Sequence, residues 1–209
     1  SIELQSLSLY VLVALRRGSI KGSEAALKYF ILGSIASAVI LYGCSMVYSV
    51  VGSTNYEIIK QFSDQSFDNL ILSLGLVLII SGVAFKLSAA PFHMWTPDVY
   101  EGSPTSVTTV LITLPKLAAL IVLVNLLLYP FQNQTITWVP IIIIISILSM
   151  AIGSISALKQ DNLKRLFAFS TIANIGYVMI GLASVNDEAI KASFLYMFIY
   201  TLATLGIFS

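Results

Sequence analysis

Long apolar runs, each holding at most one charge and separated by short polar connections, leave this chain few ways to fold. Between Leu70 and Ala90 the only charged residue is Lys86, and between Val107 and Tyr129 it is Lys116. A helix that spans the hydrocarbon of a bilayer needs about twenty predominantly apolar residues. The composition agrees: 57% of residues are hydrophobic and 10% charged, against about 45–50% and 25% in soluble domains. With a mean hydropathy of +0.92, the chain reads as an integral membrane protein, an all-α polytopic bundle.

Seven apolar segments are expected, at Ser1–Leu15, Leu27–Val51, Leu70–Ala90, Val107–Tyr129, Trp138–Leu158, Leu166–Val185 and Ile190–Ser209. The first would make only roughly 22 Å of helix, so it reads as part of a longer one. The chain starts and stops inside apolar runs, which reads as a piece of a longer polypeptide or one half of a split one. The connection after the first segment carries Arg16, Arg17 and Lys21, with Lys28 at the start of the next helix, and the one before the sixth carries Lys159, Lys164 and Arg165. Lys60 and Lys191 fall on the other side. The positive-inside rule puts the larger group on the cytoplasmic or matrix face. Alternation places the Pro91–Pro104 connection, with Asp98 and Glu101, on that same face. The polar loop Gly52–Asn69, which ends in Asp64 and Asp68, is expected on the opposite face with one short amphipathic turn at Tyr56–Phe62. Tyr129–Trp138 reads as an interfacial turn at the level of the aromatic belt.

Several function classes fall away on composition. A net charge of +1 gives no clustered basic face for a phosphate backbone, so no nucleic-acid partner is expected. Cys44 is the only cysteine and His93 the only histidine, which excludes an internal disulfide, a thiolate zinc site, an iron–sulfur cluster and a bis-histidine haem on this chain.

The charges inside the apolar runs then carry the argument. A lysine near mid-membrane costs roughly 2.5–3.5 kcal/mol on insertion scales, so intramembrane lysines face protein or water and mark ion or proton routes. Lys86 lies toward one end of its run, where snorkelling to the interface is an alternative. Lys116 sits too deep for that. Pro115 precedes Lys116 and Pro91 follows Lys86. A proline within a helix frees the carbonyl four residues back, here those of Leu111 and Leu87, and irregular backbone at depth is tolerated only inside protein or beside water. Burial disfavours a lysine's charged form and a neighbouring carboxylate restores it, so a lysine whose acidic partner moves can change protonation, as a proton relay requires. Glu3 is such a carboxylate if its helix starts upstream, or an ordinary first-turn acid if Ser1 is near the true start. His93, beside the Pro91 break, titrates near neutrality and reads either as a relay toward the acidic connection or as a neutral side chain bonded to a freed carbonyl. The stripe Ser170, Thr171, Asn174, Gly176 reads as helix-packing polarity, as does Asn125.

The run Phe85-Lys86-Leu-Ser-Ala-Ala-Pro91-Phe-His93-Met-Trp-Thr-Pro97-Asp98-Val-Tyr-Glu101-Gly-Ser-Pro104 resembles the signature of the antiporter-like subunits of respiratory complex I, NADH:ubiquinone oxidoreductase, in particular the subunit 2 family. Ile2-Glu3-Leu-Gln-Ser-Leu, Pro115-Lys116, and Lys164-Arg165-Leu-Phe-Ala-Phe-Ser170-Thr-Ile with Gly176-Tyr177 agree in order and spacing, so the resemblance runs along the whole chain.

The resemblance implies helices five to eleven of a fold built from inverted five-helix repeats with a discontinuous helix near Pro91, a plan that recurs in transporters. Residues 1–130 would hold the last four helices of the first repeat, and 131–209 the incomplete start of the second. Glu3 and Lys86 would form an intramembrane ion pair and Lys116 the next proton station, with His93 as a side branch. The family often has a histidine before the Gly-Tyr pair where this chain has Asn174-Ile175, which puts an ionisable relay there in doubt. The twelfth helix, with its distal charge, would come from a second chain or a missing segment. The implied function is proton translocation in the membrane arm of an H+-translocating NADH:ubiquinone reductase. NADH, FMN, iron–sulfur clusters and quinone would belong to other subunits, so no cofactor or metal is expected here. Other membrane-arm subunits and lipids are the expected partners. The mitochondrial inner membrane is the expected location, on an Ile-, Phe- and Tyr-rich composition, with the bacterial plasma membrane as alternative. A stand-alone cation/proton antiporter subunit and a structural scaffold with an incomplete channel are the competing readings.

Overall fold

The computed structural model describes residues 2–16, 18–65 and 69–208, the side chain of residue 2 excepted. Arg17 and Asp68, both used in the topology argument, lie outside the described residues. The elements are α1 (Ile2–Val13), α2 (Ile20–Val51), α3 (Tyr56–Gln65), α4 (Leu70–Leu87), α5 (Thr96–Gly102), α6 (Thr105–Leu128), α7 (Thr135–Ala157), α8 (Leu163–Ala183) and α9 (Asp187–Phe208). Six of the described helices, α2, α4 and α6 to α9, are long and apolar enough to cross a membrane, and α1 is the short segment. The expected amphipathic turn at Tyr56–Phe62 is α3, which runs three residues further, to Gln65.

Local chemistry sets the ends. Ser19 accepts from the Gly22 N–H and starts α2 well before the expected Leu27, so Lys21, Glu24 and Lys28 belong to the helix. Asn69 caps α4 and Asn162 caps α8 in the same way. Such side-chain caps satisfy backbone donors that a helix start leaves unpaired. Gly52 ends α2 in the left-handed region at φ 73°, where glycine carries no Cβ penalty.

The helices approach closely at small residues. A Cβ added to Gly43 of α2 would lie 2.7 Å from the Gly75 carbonyl oxygen of α4. One added to Gly153 of α7 would meet the Ala173 amide nitrogen of α8 at 2.5 Å. Across the same α7–α8 seam, buried Ser146 donates to the Gly176 carbonyl at 2.7 Å. Small residues and hydroxyl donors serve this purpose in membrane helices because lipid supplies no hydrophobic drive between them. The expected packing stripe on α8 therefore does what its composition suggests.

The main departure from expectation is at α4. Its helix stops at Leu87, not Ala90, because Ser88 turns into the left-handed region at φ 64°. Pro91 thus lies beyond the helix and displaces no helical bond to Leu87, whereas Pro115 does sit inside α6. The non-helical stretch Ser88, Ala89 and Ala90 is fully buried. Its backbone N–H groups are still satisfied: Ser88 N–H donates to Phe85 O, Ala89 N–H to Ala84 O, and Ala90 N–H to Ser149 Oγ on α7 at 2.8 Å. The chain resumes as α5, with Pro97 in its first turn, where a proline's missing N–H leaves nothing unpaired.

Candidate functional site

The site is built on the break after α4. α1, α4 and α6 bring Glu3, Lys86 and Lys116 onto one line, although 83 residues separate the first two (86 − 3). Lys86 Nζ lies 2.9 Å from Glu3 Oε1 and donates to Ser6 Oγ at 3.0 Å. Ser37 of α2 donates to the other carboxylate oxygen, Glu3 Oε2. Lys86 is 9% exposed. Glu3 is not sealed to the same degree: its side chain is 43% exposed and borders a largely apolar cavity of about 400 Å³ between α2, α3, α4 and α6. On the other side of the pair, a cavity of about 20 Å³ is lined by Gln5, Ser6, Tyr10, Lys86, Trp95 and Pro115, among others. That is room for one water beside polar partners.

Lys116 is wholly buried and has no carboxylate among the described residues. Its ammonium donates to the Lys86 backbone carbonyl at 3.1 Å and to Ser88 Oγ, and stands 4.8 Å over the Trp95 ring. The carbonyl it takes is one that α4 releases by ending early. Ser88 Oγ also accepts from Thr96 Oγ1 at 2.7 Å. Trp95 is held in turn by its own Nε1–H donating to Phe85 O at 3.0 Å, with its ring stacked on Tyr29 at 4.6 Å between centroids. A cation over an indole face is attracted by its quadrupole. The two lysines thus differ in kind: Lys86 has a charged partner, while Lys116 is solvated by a carbonyl, a hydroxyl and a π face.

Of the residues singled out by sequence, Glu3, Lys86 and Lys116 are brought together. His93 is not joined to them. It is 9% exposed and no hydrogen bond links it to Lys86, Lys116, Asp98 or Glu101 among the described residues; its Nδ1 is buried without a partner of ordinary geometry. The alternative, a neutral side chain bonded to a carbonyl at the break, has a counterpart in a backbone hydrogen bond of His93 with Pro91. Sequence reasoning missed Ser37, Ser88, Trp95 and Thr96. Only the small-residue run Ser88-Ala-Ala before Pro91 signals one of them. At the position where an ionisable relay was in doubt, Asn174 donates to Ser170 O at 2.8 Å and its side-chain oxygen accepts from Tyr196 OH.

The acidic connection is ordered, not a loop. Asp98 and Glu101 lie on α5, outside the spanning helices, and meet Lys21 and Lys28 of α2 and Arg165 of α8. Hydrogen bonds from Lys21, then Arg165, hold the Glu101 carboxyl below its ordinary range. For Asp98, burial pushes the value up, but bonds from Lys28 and Arg165 outweigh it and the net displacement is downward. The basic connections and the acidic one are therefore on one face, as alternation required, with Lys60 over the Tyr129 ring at the other.

Residues 1–209 match the family described as NADH:quinone oxidoreductase/Mrp antiporter, TM. NADH-quinone oxidoreductase subunit N of Pelagibacter ubique is 49% identical over 208 residues, covering 100% of this chain and 44% of that protein. The chain spans less than half the length of the curated relatives it matches. Among solved structures, a chain of respiratory complex I from Thermus thermophilus with bound aureothin superposes with a TM-score of 0.80 at 36% identity, over 99% of this chain and 44% of that one. The Mrp complex from Dietzia sp. DQ12-45-1b shares the fold, with a TM-score of 0.89 at 21% identity over 99% of this chain and 39% of that one. With the family model matched from residue 1 to residue 209, the chain belongs to the NADH:quinone oxidoreductase/Mrp antiporter transmembrane family.

Proposed function

We propose that this chain is part of a proton-translocating membrane-arm subunit of an NADH:quinone oxidoreductase. The observation that carries this is the grouping of Glu3, Lys86 and Lys116 within otherwise apolar helices, with Lys86 paired to Glu3 through its ammonium and met by Lys116 at its backbone carbonyl. In this reading Glu3 and Lys86 act as a switchable ion pair. Protonating or displacing Glu3 takes the carboxylate from its place 2.9 Å from Lys86, and the pair opens to pass a proton on. Lys116 receives it, because a neutral amine there can accept from the Ser88 hydroxyl or from one water next to Pro115. His93 is a side branch that requires a water to connect it.

Redox chemistry, with NADH, FMN, iron–sulfur clusters and quinone, belongs to other subunits of the complex. Residues 1–130 close the first inverted repeat and 131–209 open the second, whose twelfth helix, with its distal charge, comes from further chain or a partner, alongside other membrane-arm subunits and lipids. The bacterial names of the relatives favour the bacterial plasma membrane, with the mitochondrial inner membrane as alternative. Identity to NADH-quinone oxidoreductase subunits near one half, against 21% for the Mrp chain, supports this reading over a stand-alone antiporter.

The test is Lys86→Met in the assembled complex, reconstituted into liposomes, with NADH-driven proton uptake as readout. A loss of about tenfold or more is expected, in line with removal of one positioned proton-transfer group. Uptake at the unaltered rate, with the complex intact, would refute the relay.

A further inference from the structure

α5 is seven residues long, far below the length at which a helix is stable by itself. It has to be held from outside, and the way it is held is specific. Every carboxylate oxygen of Asp98 and Glu101 meets a cation: Asp98 Oδ1 and Glu101 Oε2 share Arg165 Nη1 at 2.8 and 3.0 Å, Asp98 Oδ2 takes Lys28 at 2.7 Å, and Glu101 Oε1 takes Lys21 at 2.8 Å. Lys164 Nζ donates to the Ser103 carbonyl, at the C-terminal cap of α5, at 2.7 Å. Cations at that end also complement the helix dipole. α2 therefore grips α5 from one flank and the adjacent pair Lys164-Arg165 of α8 grips it from the other.

The opposite end of α5 carries the groups that surround Lys116. Thr96 opens the helix and donates to Ser88 Oγ, and Trp95 immediately before it presents the ring under the Lys116 ammonium. Seven residues of helix are about 10 Å long, so a shift of α5 against α8 is passed directly to Thr96 and Trp95. We propose that Lys164 and Arg165 are positioning residues: by clamping α5 they hold the Ser88–Thr96–Trp95 frame in which Lys116 exchanges its proton. They touch neither Lys116 nor Lys86. The functional consequence rests on the proton-transfer reading above.

The experiment compares Arg165→Gln, Arg165→Lys and Lys116→Met in the assembled complex in liposomes, with proton uptake per complex and amide hydrogen exchange of residues 96–102 as readouts. Arg165→Gln is expected to speed exchange in that segment and slow uptake by roughly fivefold each, the scale of partly exposed ion-pair contacts. Arg165→Lys, which can place one ammonium between the two carboxylates, is expected to restore both to within about twofold, a rescue that the loss of general packing would not show. Uptake per complex unchanged in Arg165→Gln, or Arg165→Lys no better than Arg165→Gln, overturns the proposal. Should Arg165→Gln fail to assemble, Glu101→Gln removes one of the two contacts and carries the same comparison. If Lys116→Met leaves uptake intact, the proton-transfer reading fails instead, and the exchange rates alone decide whether Arg165 holds α5.

Discussion

Replacing Lys116 by methionine separates function from stability, because the two are expected to move in opposite directions. Methionine keeps the length and volume of the side chain within the wholly buried site, so the change is a near-isosteric loss of the amine. On the cost side, the Lys86 carbonyl loses a donor, about 1–2 kcal/mol for a buried acceptor left unpaired, and the contact over Trp95 is worth about 1 kcal/mol. Ser88 Oγ keeps Thr96 and costs little. On the other side, the amine no longer has to be held away from water without a carboxylate, a penalty of several kcal/mol for an ion in protein. The net expectation is a protein between unchanged and about 2 kcal/mol more stable. Proton uptake should nevertheless fall by about tenfold or more if Lys116 is a transfer station. Thermal unfolding of the solubilised complex and NADH-driven uptake in liposomes measure the two sides. A variant that unfolds several degrees earlier yet pumps at the original rate would refute the reasoning, since Lys116 would then be a structural cross-link.

Two further outcomes follow from the geometry. Gly153→Val puts a branched side chain where even a Cβ would stand 2.5 Å from the Ala173 backbone; α7 and α8 must part, with a loss of about 1–3 kcal/mol read as reduced assembly on native gels, whereas Gly206→Val, with nothing near its Cβ, should assemble normally. The α5 clamp should respond to acid in one direction. Glu101 has its folded value depressed below the ordinary 4.5, so its contribution is complete above about that value and is lost as pH falls through the depressed one. Exchange of residues 96–102 should therefore stay flat from pH 5 to neutrality once corrected for intrinsic rate, and rise at more acidic pH; a rise centred near pH 6 or 7 would rule Glu101 out as the responsible group.

Much of the fold could be read along the chain. Apolar runs located the spans, and the imbalance of basic residues put Asp98 and Glu101 on the face where Arg165 is found; the helix starts set by Ser19 and Asn162 lie ahead of those runs, because a capped first turn can be polar. The end of α4 was harder. Pro91 drew attention to the break, but the left-handed turn at Ser88 made it three residues earlier, since a residue's backbone choice there depended on Ser149 of α7 waiting to take the Ala90 N–H. His93 shows the converse: its pKa and its place beside a proline recommended it, and only the packed chain reveals that no hydrogen bond connects it to the lysines.

By itself the sequence determined that helices cross a membrane, that lysines lie within two of them, and that one helix is interrupted. Those properties are local, because transfer from water to lipid is decided residue by residue over a window of about twenty. Only the tertiary structure decided that Lys86 meets Glu3 while Lys116 meets a carbonyl, a hydroxyl and an indole, and that Lys164 and Arg165 hold α5. Such pairings join positions tens of residues apart. They depend on how near the small residues let neighbouring helices come, and whether a buried charge finds a partner is a property of that approach rather than of any one segment.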